Sequence, residues 1–479
     1  MGSNDIFNDV TSFLESTGNT SSLQNSQTFE QRSVLTFIVI GAGLIGPRHA
    51  EHVHARSDCK LMAIVDHSAK GPSVAAKFNC LLFKTLEELF NYCITFDKPL
   101  PHAAIIATPN HTHLQMSLDL ADKGIHILVE KPLASNATDC KTLISYCEYK
   151  QVTLLVGHHR RFNPYIITTK ENLPRVGKLV AVQGTWTICK PPSYFREKPW
   201  RSTIEKGGGT LLINLIHDLD LLQYLLGPIE KVYAELLSKQ RSDRFDDEPN
   251  SDQELVDEGA VLTLKFANGC CGTFVCSDNV TSPFSFEVGT GENPTIPFNN
   301  EVAGFYRIFG SHGTISVPDL KLYHQNHHSN DSNMDDDCDI DMVDESVIDN
   351  NMKNNNDDRR TWLKEIQCEQ LKMNHEKSVD EMMQQGGNML TPFPSPDYKV
   401  APIHHMLMGK KPKPFDLQLD HFVNLITGRE TEVKCTGEDA LRALLCIEAV
   451  MKSIETGMPQ FVESVDSIQP DYDMLNRYI

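Results

Sequence analysis

Val34–Ile40 is a run of apolar residues broken only by Thr36, and glycines follow it at once. Such a run suits a strand buried on both faces, as in a parallel sheet. A helical pattern begins at Ile45. Leu61–Val65, Ala103–Ala107, Ile125–Val129 and Val152–Val156 repeat the apolar strand signature. Helical stretches such as Leu86–Tyr92 and His113–Lys123 lie between them. This alternation predicts a doubly wound α/β domain, a Rossmann-type parallel sheet, over residues 33–156.

Beyond it the pattern changes. Thr210–Leu226 is apolar almost all round and predicts one buried helix. Lys178–Thr187, Val261–Phe266, Cys271–Cys276 and Arg307–Phe309 alternate as half-buried strands do. Residues 157–479 are therefore expected to form an α+β domain with a large, mainly antiparallel open sheet. Phe415–Leu425 and Gly437–Glu455 read as amphipathic helices that close it. Two segments carry no such pattern. Residues 1–32 are rich in Ser, Asn, Thr and Gln, and are expected to be a polar tail. Residues 324–360, dense in Asn and Asp, predict a disordered acidic insertion.

Charge sharpens the picture. The chain of 479 residues has a formal net charge of −20. Most of it sits in two stretches: Asp331–Asp358, with eleven acids against Lys353, and Arg241–Glu258, with eight acids against two arginines. The balance argues against nucleic acid or an anionic membrane as partner. No apolar run is long enough to span a bilayer. The first 31 residues carry no Lys or Arg, so an ordinary signal or transit peptide is not expected. The 13 cysteines are scattered, with no zinc-ligand spacing, and reduced thiols and no metal site are expected. The expected compartment is the cytosol, with a share in the nucleus also allowed.

Chemistry gathers at the strand ends. Gly41-Ala42-Gly43-Leu44-Ile45-Gly46 follows the first strand and opens a helix, the context in which a GxGxxG turn binds a dinucleotide pyrophosphate. Asp66 ends the second strand, where a carboxylate accepts ribose hydroxyls and repels a 2′-phosphate. That favours NAD and leaves NADP open, since His67, Ser68 and Lys70 stand beside it. Thr108-Pro109-Asn110 and Glu130-Lys131-Pro132 follow two further strands, at the edge where cofactors bind in open sheets. Lys131 at such an edge can reach into the crevice and stabilise a developing alkoxide, although in isolation a surface lysine is the far more frequent case. In the second domain Gly207-Gly208-Gly209 precedes the long helix. Asn214, His217 and Asp218 share one of its faces at helical spacing. His217 is a candidate general base, although in isolation a core histidine is the more frequent case.

Together these motifs resemble the glucose-fructose oxidoreductase / inositol dehydrogenase / rhizopine-catabolism (Gfo/Idh/MocA) family over residues 33–322 and again near 400–460. The resemblance implies an NAD(P)-dependent enzyme moving hydride to or from a CH–OH carbon of a sugar or polyol. It implies Lys131 as catalytic lysine and His217 as acid/base histidine. It also implies a homodimer or homotetramer through paired sheets. One departure is Ile213, where many members carry Asp. The stretch Gly157–Pro164 resembles one branch of the family. Its Arg160 and Arg161, with Trp186, Lys190, Tyr194, Arg201, Asn214 and His217, are expected to line a pocket for a polyhydroxy substrate. A second reading is a catalytically silent NAD(P)-sensing regulator, related to fungal galactose-gene regulators.

Overall fold

The computed structural model describes residues 34–478 apart from 205–206, 242–255, 294, 300, 303, 326–397 and 403–412. The expected polar tail and nearly all of the acidic insertion lie outside the described residues.

The apolar runs form six parallel strands: β1 (Leu35–Ile40), β2 (Cys59–Val65), β3 (Leu81–Phe83), β4 (Ala103–Ile106), β5 (His126–Val129) and β6 (Leu154–Val156), ordered β3-β2-β1-β4-β5-β6. All five pairings are parallel. Phe37, Ile38, Val39 and the whole of β4 are buried, because helices cover both faces. The order reverses between β1 and β4, which opens a crevice above their carboxyl ends. Strand β3 was not expected. It is three residues long, and Leu81 and Leu82 are exposed at the sheet edge, so it leaves no hydrophobic pattern.

The second sheet has nine strands. They are β7 (Leu179–Thr187), β8 (Ile229–Leu236), β9 (Gly259–Phe266), β10 (Cys271–Ser277), β11 (Tyr306–Gly310), β12 (Gly313–Val317), β13 (Lys321–Gln325), β14 (Tyr398–Pro402) and β15 (Gln460–Phe461). The spatial order is β14-β13-β12-β11-β7-β10-β9-β8-β15. Only β7 and β10 run parallel; the other pairings are antiparallel. Strands β13 and β14, on either side of the acidic segment, pair with each other. One face buries Val182, Trp186, Leu262, Phe274, Tyr306 and Ile308, while Val261 and Val275 stand exposed on alternate positions.

Two expectations change. The Thr210–Leu226 stretch is not one regular helix: Leu211–Leu215 is a π turn, and α-helix runs only from Ile216 to Leu226. Nor do the C-terminal helices close only the second domain. The Pro414–Ile426 helix packs on the first sheet, with Phe422 edge-on to Phe37 at 6.2 Å between ring centroids. The Gly437–Thr456 helix starts from a Thr436/Asp439 capping box and bridges both cores. Leu441, Leu444 and Leu445 enter the first core; Ala443, Cys446, Ile447 and Val450 enter the second. The two sheets are therefore held by a shared helix, and the crevice between them has rigid walls.

Candidate active site

The glycine loop is built for close approach. Gly41 adopts φ +101°, and a side chain there would meet the carbonyl oxygen of Ala107 at 2.5 Å. A side chain on Gly46 would strike the carbonyl of Gly41 at 1.8 Å, so the helix Gly46–His54 sits directly on the turn. At Gly43 the space within 4 Å is open, leaving room for a pyrophosphate. Ile45 precedes the helix without a side-chain cap, so its first N–H groups have no side-chain acceptor at that cap. Leu44 is 64% exposed at the rim. Asp66 reaches back to this loop: its Oδ2 accepts the Ala42 N–H at 2.6 Å, and its Oδ1 accepts the Ser68 N–H at 2.7 Å. Burial opposes its charge, but the Ser68 and Ala42 bonds hold the carboxyl below its ordinary range. This donor and acceptor set fits a dinucleotide with an unphosphorylated ribose.

Thr108-Pro109-Asn110 and Glu130-Lys131-Pro132 are tied together by a residue the sequence did not single out. His113 is fully buried, with Nδ1 and Nε2 each 2.9 Å from a carbonyl oxygen, those of Pro132 and Thr108. Glu130 is also buried and accepts from His49 Nε2 at 2.7 Å. Burial works against its charge, yet His49, with His159 and Lys131 near, keeps the carboxyl below its ordinary range. Lys131 Nζ donates to the carbonyl of Ile213 at 3.2 Å. Position 213 thus meets the lysine through its backbone, whatever its side chain. Burial, against the pull of Glu130, brings the Lys131 pKa down to about 8, with Arg160 and Lys190 adding to the fall.

His217 stands one residue into the α-helix that follows the π turn. Its Nδ1 is buried and has no hydrogen-bond partner among the described residues. Burial and the positive groups around it, Lys131 and Arg160 first, push its pKa well below the ordinary value. The ring is therefore neutral and able to take a proton. His159 and His158 flank it, with ring centroids at 5.8 and 6.3 Å. Asn214, His217 and Asp218 do not act as one face: the π turn sets the spacing between 214 and 217. Asn214 Oδ1 accepts from Lys190 Nζ at 2.6 Å. Asp218 instead takes the Tyr306 hydroxyl, and burial raises its pKa to about 7.

Three expected substrate contacts are engaged elsewhere. Arg161 is buried and spends its guanidinium on Asp220 (2.6 Å), Asp439 (2.8 Å) and the Lys434 carbonyl (2.9 Å). Arg160 is buried against Glu287 at 2.5 Å and Glu292 at 3.3 Å. Trp186 lies in the core and donates its Nε1 to Glu287 at 2.8 Å. The physical reason is burial: each charge inside the fold needs a partner, and Asp220, Glu287 and Glu292 supply it. Asp220 stands on the His217 helix, within the motif that carries the family resemblance; Glu287, Glu292 and Tyr306 were not legible as site residues, because they come from segments far along the chain. Lys190, Tyr194 and Arg201 do come together. Lys190 Nζ lies 4.5 Å and the Arg201 guanidinium 3.7 Å from the Tyr194 ring centre. Among the described residues no cluster of His, Cys, Asp or Glu is arranged to hold a metal. Nor is any helix there long and apolar enough to cross a membrane.

Comparison with known proteins gives a consistent picture. The family profile described as "Oxidoreductase family, NAD-binding Rossmann fold" matches residues 35–158, and the profile of the family's C-terminal alpha/beta domain matches residues 170–462. The 2,7-anhydro-N-acetylneuraminate hydratase of Escherichia coli (strain K12) is 25% identical over 279 residues, spanning 58% of this chain and 71% of that protein. The inositol 2-dehydrogenase of Rhizobium meliloti (strain 1021) is 26% identical over 279 residues, spanning 54% of this chain and 80% of that one. Among solved structures, the WlbA dehydrogenase from Bordetella pertussis, in complex with NADH and UDP-GlcNAcA, matches with a TM-score of 0.58 at 18% identity. The match covers 90% of this chain and 98% of that one. At that identity the likeness is one of fold.

Proposed function

The chain belongs to the Gfo/Idh/MocA family of oxidoreductases, and we propose that its own reaction interconverts a secondary alcohol and a ketone on a sugar, polyol or inositol-like substrate. The observation that carries this reading is the meeting of Lys131 and His217 beside one π turn, a cation and a neutral base in the same crevice. When bound, the nicotinamide accepts or returns the hydride of the CH–OH carbon. In the oxidative direction Lys131 holds the substrate oxygen and stabilises its developing negative charge. His217 takes the hydroxyl proton, and a C=O bond replaces C–H and O–H. In reverse His217 returns that proton. Glu130, fixed by His49, places a negative charge near Lys131 that favours its cation. The relative named inositol 2-dehydrogenase supports a CH–OH substrate. A thermal-shift screen with NAD, NADP and their reduced forms, then a polyol, sugar and inositol panel with whichever binds, tests the reading.

The ionisation of Lys131 gives a pH prediction. The free enzyme loses its cation as pH rises through about 8, so kcat/KM falls on the alkaline side near that pH. Lys131→Arg, whose guanidinium stays charged, moves this limb upward. A wild-type profile flat to pH 10, about two units above the lysine value, contradicts the assignment. Towards acid, activity declines only where His217 takes a proton, below its ordinary range.

Asp66 supports NAD over NADP. Removing it as Asp66→Ser is expected to weaken NAD binding about ten-fold and to improve NADP binding, read by calorimetry. Equal loss for both cofactors contradicts the role.

The exposed face of the second sheet is the candidate surface for pairing two copies. Val261 and Val275 face each other across β9 and β10, and both are over a third exposed. Light scattering is expected to give a multiple of 53.8 kDa, and Val275→Lys to reduce it. A monomer in the wild type contradicts the assignment.

A further inference from the structure

The cations around the crevice are not equally committed. Arg160 and Arg161 are each held by carboxylates within the fold; Arg160 Nη1 makes no hydrogen bond among the described residues but lies 3.6 Å from Asp218 Oδ2. Lys190 shares one carboxylate: Asp278 lies 3.4 Å from its Nζ and also takes Arg241 Nη2 at 2.5 Å. Arg201 has less. Its Nη1 donates to the Tyr194 carbonyl at 2.7 Å, and its Nε is buried with no partner among the described residues. A buried guanidinium N–H without an acceptor is costly and rare, and it marks a place where an acceptor belongs.

The position of Arg201 is fixed by the glycine loop. A side chain on Gly208 would meet the carbonyl oxygens of Arg201 at 2.6 Å and Trp200 at 2.7 Å, and Gly209 N–H donates to the Arg201 carbonyl at 3.1 Å. The same loop touches the cofactor side, since a side chain on Gly207 would lie 3.7 Å from Asn110 Nδ2. It then leads straight into the π turn that carries Asn214 and opens onto His217. A continuous row results. Lys131 meets Ile213, Asn214 meets Lys190, and Lys190 and Arg201 flank Tyr194. Asp278 is shared along this row, and Arg241 competes for it; Asp257, beside Gly209, is engaged by the Thr210 and Leu211 N–H groups at 2.9 and 3.0 Å.

We propose that Arg201 and Lys190, beside the Gly207–Gly209 loop and Tyr194, form an anion subsite, and that the substrate is a sugar or polyol acid whose carboxylate is received by Arg201 with Lys190 near it. This rests on the proposed reaction and names its substrate class. The planar guanidinium donates two parallel N–H bonds to a carboxylate, and Tyr194, stacked against it, holds the guanidinium in place. With the carboxylate fixed at that end, the reacting CH–OH is held at Lys131 and His217.

The test uses the full chain with matched pairs of acid and neutral compound: D-glucuronate and D-glucose, D-galacturonate and D-galactose, D-gluconate and sorbitol. NAD-dependent turnover and calorimetric binding of each to the NADH-loaded protein are measured together. The expected result is preference for the acids in both readouts. Arg201→Gln should lower that preference about ten-fold or more, the scale of one charged hydrogen bond, through KM rather than kcat. Arg201→Lys should keep part of it, and NADH binding by both variants shows that they fold. Turnover of neutral compounds with no preference for acids overturns the inference and leaves the proposed reaction standing. Acids that bind through Arg201 while nothing is turned over support the subsite and count against the reaction. Acids that neither bind nor react overturn the subsite.

Discussion

Lys131→Met is expected to lower kcat about a thousand-fold, roughly 4 kcal/mol of transition-state stabilisation, while NAD binding changes little. Its ammonium lies against the π turn, where Nζ donates to the Ile213 carbonyl, one helical turn from His217. Methionine keeps the length and the apolar stem but offers no charge and no donor. The cofactor loop does not depend on it: Asp66, Gly41 and Gly46 are held by their own backbone contacts. Activity and cofactor affinity should therefore separate. Steady-state rates with calorimetry on the same sample check this, and a variant with more than a tenth of wild-type kcat removes Lys131 from the mechanism.

Asp220→Ala is expected to be the most destabilising single change near the site. Asp220 is 1% exposed and takes two hydrogen bonds from Arg161 Nε and one from its Nη2. Its loss leaves a buried guanidinium with only Asp439 and a carbonyl. Breaking one side of such a pair costs about 3–5 kcal/mol, a drop of roughly 3–6 °C in melting temperature for a chain of this size. The double change Arg161→Met with Asp220→Leu should recover much of that, because the stranded charge is gone. A single variant melting within a degree of wild type shows that the pair does not hold the two domains.

Much of this was legible in the sequence because local pattern and chemistry coincide there. The strands β1, β2, β4, β5 and β6 are largely buried on both faces, so each is a mainly apolar run. The dinucleotide loop is six consecutive residues with glycine where backbone must pass backbone. Lys131 and His217 stand in short motifs whose spacing is local. What was not legible is what separate elements bring together. Arg160 and Arg161 look like free cations in sequence, because Glu287, Glu292 and Asp220 arrive from elsewhere in the chain. Trp186 alternates as a strand residue should, but which face of β7 is covered depends on the helices packed on it. The π turn at Leu211–Leu215 has the composition of any apolar helix, and only the structure reveals the altered pitch. The helix Gly437–Thr456 shows one amphipathic pattern yet serves two cores, so the domain boundary drawn at residue 156 misses what the C-terminal helices add to the first domain.

The central claim is hydride transfer at a CH–OH carbon within this crevice. Its most direct test follows deuterium from the carbinol carbon of whichever compound proves a substrate into NADH, read by mass spectrometry. Wild-type protein is expected to deliver one deuterium per product formed, and Lys131→Met to transfer label about a thousand-fold more slowly. Saturable NAD binding with no label transfer across the sugar, polyol and sugar-acid panel contradicts the claim, and is the result a cofactor-sensing regulator would give.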